Sequence, residues 1–412
     1  LHDGYNKKIY LLVDNYFKLF NGKIITPTGI IDNGSVLIKN GIIKDISEKS
    51  IDAPNAQSID VKGQYISPGF IDIHVHGGGG YDFMDGSKDA FLKIAECHAK
   101  YGTTALAPTT LTSDTADLLK TLDYYEQANT LNKNGAQFIG MHLEGPYFAL
   151  NQRGAQDARY IHDPIPEEYM RILDYSKSIV RWSAAPELKG AIAFSRYLKR
   201  HNILVALAHT DAIYEEVVEA FENGYTLATH FYSAMSGVIR RKGFRYAGVI
   251  ESCYLIDEMD VEIIADGIHL PPPLLKLVYK IKGADRIALI TDAMRAAGMQ
   301  PGESVLGNIN NGLKVIVEDG VAKLPDRSSF AGSVATANKL VRTIIKDADV
   351  HLEDAIKMIS STPARIMGIS DKKGSLEIGK DADIVVFDDN IDIRMTIVNG
   401  KIIYDQQTEK SV

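Results

Sequence analysis

The stretch Phe70-Ile71-Asp72-Ile73-His74-Val75-His76-Gly77 constrains this chain more than any other, because it is an apolar run that ends in two histidines two residues apart. Alternate side chains of a strand point the same way, so both imidazoles fall on one face and can hold one metal ion together. Four later apolar runs each end in a group able to complete such a site: Glu144 in HLEGP, His209 in ALAHT, His230 in LATHF and Asp292 in LITDAM. The pattern is that of a metal-dependent hydrolase.

The runs themselves suggest how these groups meet. Strand-like segments occur at Gly69 to Ile73, Thr103 to Ala107, Gln137 to Leu143, Val180 to Ala184, Ile203 to Ala208, Thr226 to Ala228, Val261 to Ala265 and Arg286 to Ile290. Segments such as Asp89 to Tyr101 and Asp211 to Glu222 lie between them and carry apolar residues at helical spacing. Eight strand-helix units predict an α/β fold, a (β/α)8 TIM-like barrel, whose working face is formed by the carboxyl ends of its strands. The candidate ligands fall at those ends. Between Asp292 and Ser333, Leu313 to Val317 and Val321 to Leu324 flank Glu318-Asp319-Gly320 and predict a further hairpin near the barrel mouth.

Two Asn-Gly pairs, Asn40-Gly41 and Asn399-Gly400, each sit between short β-type runs and predict tight hairpins, since both central positions need positive φ. One lies near the start of the chain and one near its end. The expected organisation is a small discontinuous β-sandwich domain from residues 1–67 and 374–412, with the catalytic barrel over 68–373. The segment through Lys23 has apolar pieces broken by Asp14, Asn15 and Lys18 and reads as a strand region, not a signal peptide.

Composition narrows the function classes. With 45% hydrophobic residues in 412 the chain can bury a large core, and a net charge of -8 without a basic run excludes an extended nucleic-acid footprint. No run approaches the ~20 apolar residues of a membrane span. Only Cys97 and Cys253 occur, outside any paired metal spacing, which fits a reducing compartment. A cytoplasmic protein that binds neither nucleic acid nor membrane is expected.

Any one of these histidines has an ordinary explanation as a hydrogen-bonded packing residue. The set is harder to explain that way, because four imidazoles and two carboxylates gathered in one barrel mouth would compete for partners, at ~1–3 kcal/mol for each buried group left unsatisfied. A divalent cation removes that conflict. His142 lies two residues before Glu144, shares its strand face one layer deeper, and is expected to be structural. His98, His162, His201 and His351 lie on helices or connections and are assigned no role. His269, just beyond the seventh strand, is placed to reach a substrate without ligating. The glycines from Gly77 to Gly80 predict a wide turn rather than a phosphate cradle.

The HxH pair, the split β domain and Gly379-Lys380-Asp381-Ala382-Asp383-Ile384-Val385-Val386-Phe387 resemble the amidohydrolase superfamily. Pro68-Gly69-Phe70-Ile71-Asp72, His142-Leu143-Glu144-Gly145-Pro146, Thr229-His230-Phe231-Tyr232-Ser233-Ala234-Met235, Asp266-Gly267-Ile268-His269, Thr291-Asp292-Ala293-Met294 and Ala331-Gly332-Ser333 narrow the resemblance to the N-acetylglucosamine-6-phosphate deacetylase family. The likeness runs over essentially the whole chain. It implies that Glu144, His209 and His230 bind a principal divalent metal, zinc or iron, and that His74 and His76 allow a second. The lysine that hydantoinase-like relatives place on the fourth strand has no counterpart in Val180 to Ala185. The resemblance further implies substrate contacts from Ala155, Gln156, Ser233, Ala234, His269, Phe330, Ala331 and Gly332, and a phosphate contact from Arg241. In the family that arginine reaches a neighbouring subunit's site, which implies a homodimer. One departure stands out, Ser233-Ala234-Met235 where the family has Asn-Ala-Met.

The reaction implied is hydrolysis of the acetamide of a phosphorylated N-acetyl amino sugar, N-acetylglucosamine 6-phosphate, to the free amine and acetate. Asp292 would move the proton and His269 would stabilise the developing oxyanion. The alternatives are a related amidohydrolase acting on N-acetylgalactosamine 6-phosphate or an N-acyl amino acid, and a non-catalytic barrel used as a binding module.

Overall fold

The computed structural model describes residues 16–409. The part of the expected N-terminal strand region before Tyr16 lies outside them.

Strands from the two ends of the chain make one eight-stranded mixed sheet. Its order runs Lys401–Asp405, Ile393–Val398, Ile384–Phe387, Tyr65–Pro68, Tyr16–Thr26, Gly29–Lys39 and Ile42–Ser47, with Gln57–Asp60 also paired to Tyr16–Thr26. Both Asn-Gly hairpins form, with Lys39 opposite Ile42 and Val398 opposite Lys401. Asn40, Gly41, Asn399 and Gly400 all have φ between +46° and +80°, the left-handed backbone such turns require. The hairpins also meet each other: a Cβ on Gly400 would lie 2.7 Å from the Cα of Gly41. Phe17, Leu19, Val36, Ile38, Ile66, Ile384 and Ile397, from both ends of the hydrogen-bonding order, share one apolar core.

All eight apolar runs of the middle segment are parallel strands. Gln137–Phe138, Thr103–Pro108 and Phe70–Val75 form one sheet. Met141–Glu144, Ile179–Ala184, Leu204–Leu207, Tyr225–Ala228, Asp260–Ile263 and Ile287–Leu289 form another. Parallel bridges between Thr109 and His142 and between Val75 and Ala293 link the two sheets at both edges. The strands are buried on both faces, which is why they read as apolar runs without alternation.

The third run, expected to be continuous, is broken at Ile139-Gly140. Gly140 has a φ of +112°, where only glycine is unstrained, and the chain steps from one sheet to the other at this point. The glycines after His76 make a tight hairpin instead of a wide turn, with Gly77–Gly78 paired to Tyr81–Asp82.

Helices fill the connections. Lys88–Ala99 is capped by Ser87, whose hydroxyl accepts from Ala90 N, and Thr115–Leu131 by Asp114, which accepts from Asp117 N. The helix expected from Asp211 begins at Tyr214, because Asp211 N is committed to Glu187 and Glu216 accepts from Ile213 N at 2.8 Å. Between Asp292 and Ser333 the predicted hairpin, Leu313–Glu318 with Val321–Lys323, gains a third antiparallel strand, Gly302–Leu306. Its core is Met294, Leu306, Val315, Val317, Ala322 and Ala331. Among the described residues no helix is long and apolar enough to cross a membrane.

Candidate metal and active site

Each candidate ligand sits where its strand ends. His209, His230 and Asp292 have φ of +47°, +31° and +47°, a left-handed backbone that non-glycine residues rarely adopt and that recurs at functional sites. Local hydrogen bonds hold that backbone. Asp292 N donates to His74 O at 2.9 Å, Ser333 N donates to Asp292 O at 2.7 Å, and Phe231 N donates to Glu262 O at 2.7 Å.

The side chains fall into two groups, His74, His76 and Asp292, and Glu144, His209 and His230. Within each group the ligand atoms all lie within 4.8 Å of one another. All six residues are buried. Glu144 joins the groups: Oε1 lies 3.0 Å from His230 Nε2, 3.3 Å from His209 Nε2 and 3.6 Å from His74 Nε2, and Oε2 lies 3.4 Å from His76 Nε2. Asp292 Oδ1 is 3.2 Å from His76 Nε2 and 3.5 Å from His74 Nε2.

This donor set fits a divalent cation. His209 Nδ1 donates to Gln152 O at 2.8 Å and His76 Nδ1 to Thr109 O at 3.3 Å, which leaves Nε2 of each ring to face the centre. Imidazole nitrogens and carboxylate oxygens crowded at these distances have few protons to share, so a positive ion between them relieves the lone-pair repulsion. The carboxylates also favour positive charge at this point. Burial opposes protonation of His76, but the carboxylates of Asp292 and Glu144 outweigh it and raise its pKa to about 10. Burial likewise opposes the ionisation of Glu144, yet the charge of His74 and hydrogen bonds from His209, His230 and His76 hold its pKa well below the usual range.

A cavity of about 310 Å³ opens onto these groups. His76, Glu144, Ala155, Gln156, His209, His230, Ser233, Ala234, His269, Asp292, Phe330 and Gly332 line it. Gln156 Nε2 donates to Glu144 Oε2 at 2.7 Å, while its Oε1 accepts from Thr112 N at 2.9 Å, so this side chain fixes the carboxylate from the cavity side. His269 Nδ1 donates to Asp266 Oδ2 at 2.8 Å, and Asp266 Oδ1 is held by the backbone N–H of Ile268 and of His269. Burial would raise the Asp266 pKa, but these hydrogen bonds and the His269 ring hold it below the usual carboxylate range.

Two predicted contacts lie elsewhere. Ala331 is buried in the core of the three-stranded sheet and bonds through its N–H to Ala322 O. Arg241 is exposed on a hairpin, Ile239–Arg241 with Phe244–Tyr246, and its guanidinium lies over the Tyr246 ring at 5.7 Å. Within one chain it does not line the cavity.

His142 is structural as expected. Its Nε2 lies 2.7 Å from Ser183 Oγ and its Nδ1 3.2 Å from Thr109 Oγ1, and burial together with the Arg181 charge depresses its pKa well below 6.5. The sequence reading missed Arg181 and Glu262, a buried ion pair beneath the cluster. One signal was present: Arg181 is the lone charge of an apolar strand, Glu262 is the lone charge of the apolar run Val261 to Ala265, and the signs are opposite. It also missed Asp72, which braces the first strand against the eighth by accepting from the Thr291 hydroxyl at 2.5 Å and from His74 N at 3.3 Å. Burial raises the Asp72 carboxyl to a pKa of about 7 against these hydrogen bonds.

Comparison with known proteins adds the following. The amidohydrolase family model matches residues 65–403. The chain is 35% identical to an N-acetylglucosamine-6-phosphate deacetylase of Vibrio furnissii, over 90% of each chain. It is 31% identical to an N-acetylgalactosamine-6-phosphate deacetylase of Escherichia coli O157:H7, over 92% of this chain and 97% of the relative. Among solved structures it is similar to the N-acetylglucosamine-6-phosphate deacetylase of Pasteurella multocida, with a TM-score of 0.87 and 28% identity over 94% of this chain and 99% of that one.

Proposed function

This chain belongs to the amidohydrolase family, and from that premise we propose that it is a metal-dependent deacetylase that hydrolyses the acetamide of N-acetylglucosamine 6-phosphate to glucosamine 6-phosphate and acetate. The observation that carries the reading is the convergence of Glu144, His209 and His230 with His74, His76 and Asp292 around one carboxylate at the floor of a small-molecule cavity.

In this reading the two parallel sheets close into a (β/α)8 barrel over residues 68–373, supported by the bridges at Thr109 and Val75. The eight-stranded sheet, from the described residues of 1–67 and 374–412, folds over into a β-sandwich, supported by the core its two ends share. Glu144, His209 and His230 would hold the principal ion, zinc or iron, and His74 and His76 with Asp292 would hold a second.

When bound, a divalent cation supplies Lewis-acid chemistry, lowering the pKa of water toward ~7 and polarising the acyl oxygen. The Asp292 carboxylate takes the proton of the attacking water and returns it to the amine nitrogen as the C–N bond breaks. His269 takes this role in its doubly protonated form, donating from Nδ1 to the Asp266 carboxylate and from Nε2 to the oxygen that gains charge during attack. Gln156 keeps the Glu144 carboxylate in place throughout. Ala155, Ser233, Ala234, Phe330 and Gly332 shape the pocket for the sugar, and Ala331 supports it from the core behind.

Arg241 serves the site of a second copy. Its exposed basic hairpin, with Phe244 72% exposed at the turn, is the surface through which a homodimer would bring a guanidinium to the substrate's phosphate. A cytoplasmic location fits a phosphorylated substrate.

Acetate release from N-acetylglucosamine 6-phosphate, measured beside the metal content of the same preparation, tests the proposal. Absence of turnover in metal-loaded protein overturns it. A second reading is favoured by Ser233, which lines the cavity where the family has asparagine: the galacto epimer is then the better substrate, and its kcat/KM exceeds that of the gluco epimer.

A further inference from the structure

Beneath the ligand cluster, Arg181 of the fourth parallel strand and Glu262 of the seventh are both fully buried. Arg181 Nη1 and Nη2 pair with the two oxygens of Glu262, the Nη2 contact at 2.8 Å. Nη2 also donates to Thr229 Oγ1 at 2.8 Å, and Nη1 to Ile73 O at 3.0 Å. A buried ion pair is seldom more stabilising than well-packed apolar residues of the same volume, so stability alone does not account for it.

Its surroundings offer another account. Glu262 Oε2 faces His74 Nδ1 at 3.5 Å, and this Nδ1 is a buried nitrogen with no hydrogen-bond partner of ordinary geometry. An imidazole that offers Nε2 to a cation carries its proton on Nδ1, and a carboxylate that accepts that proton fixes both the tautomer and the ring's orientation. Glu262 is the carboxylate in that position, and Arg181 prevents it from turning away. The same Oε2 lies 3.4 Å from the backbone N–H of His230, so one locked carboxylate reaches a ligand from each group.

We infer that Glu262, held by Arg181, is the positioning residue for His74: it accepts the Nδ1 proton, aims Nε2 at Glu144 and Asp292, and thereby sets the affinity for the ion held by His74, His76 and Asp292. The inference rests on the two-ion reading given above. It requires the gap of 3.5 Å to tighten into a hydrogen bond as the ring settles on an ion.

The test is a titration of metal-free protein with Zn²⁺ against a chromophoric chelator, using wild type, His76→Ala, Glu262→Gln and the double variant Arg181→Met/Glu262→Leu. Glu262→Gln preserves volume, and the double variant removes both charges so that neither is left unpaired in the core. Wild type is expected to take up two ions per chain and His76→Ala one. Both Glu262 variants should keep one ion at wild-type affinity and bind the other ~10–100-fold more weakly. Two ions at wild-type affinity in either variant would overturn the role of Glu262. Equal weakening of both ions would overturn it too, since a purely structural part affects the whole site. A wild type that takes only one ion would sink the two-ion reading and the inference with it, an outcome separable from the others.

Discussion

His269 Nδ1 donates to the buried carboxylate of Asp266 at 2.8 Å, which commits that nitrogen and leaves Nε2 as the one able to meet a ligand. The ring also rests against Phe330, with centroids 4.8 Å apart, so its plane is fixed from two sides. Asp266→Asn replaces the carboxylate by a neutral amide, which no longer balances a second ring proton on His269 while Nε2 donates to the oxygen that gains charge. A fall in kcat of ~10–100-fold with little change in KM is expected, since a carboxylate that orients a functional histidine typically contributes that much. Steady-state kinetics check it. A change confined to KM would place His269 in ground-state binding only.

Asp292 belongs geometrically to the His74 and His76 group and lies apart from the Glu144, His209 and His230 group. Asp292→Asn should therefore retain the principal ion while losing turnover by ~10²–10⁴-fold, the usual contribution of a positioned acid-base group. Metal analysis and acetate release on one sample separate the two effects. Activity near wild type would remove Asp292 from the proton pathway.

The parallel strands were legible in the sequence because burial on both faces leaves continuous apolar runs, and the candidate ligands because a polar residue closes each run. What stayed hidden depends on how strands face one another. Arg181 and Glu262 each show as a lone charge in a run, but their pairing is a property of two strands separated by 81 positions. The left-handed backbone of His209, His230 and Asp292 has no marker in residue type. The break at Gly140 and the strand Gly302–Leu306, of which only Leu306 is buried, carry too little apolar pattern to be delimited. Arg241 was singled out only through family resemblance, and its place on an exposed hairpin could not be read from spacing.

Arg241→Ala should raise KM for N-acetylglucosamine 6-phosphate by ~10–100-fold, corresponding to the ~1.5–3 kcal/mol of a hydrogen bond to a charged group. The unphosphorylated sugar should be affected far less. Because the hairpin is exposed and away from the cavity of its own chain, the effect also requires association. Sedimentation of the wild type should show a dimer at assay concentrations, and equal losses on both substrates would refute phosphate recognition.

His98 offers a pH dependence outside the ligand cluster. It is fully buried on the helix Lys88–Ala99, its Nε2 lies 2.9 Å from Gly77 O, and burial lowers its pKa despite that hydrogen bond. The folded ring is neutral where the unfolded ring, with a pKa near the ordinary 6.5, begins to take up a proton. The unfolded state therefore binds more protons below about pH 6.5, and stability falls as pH drops through that value toward the folded pKa. The slope from this one group is at most ~1.4 kcal/mol per pH unit. His98→Gln keeps a donor for Gly77 O but cannot titrate, so its unfolding free energy should fall less steeply between pH 6.5 and 5 than that of wild type. Denaturant melts of the two proteins across that range, both in the metal-free form, measure the difference. Parallel slopes would mean that His98 is protonated in the folded state as readily as in the unfolded chain.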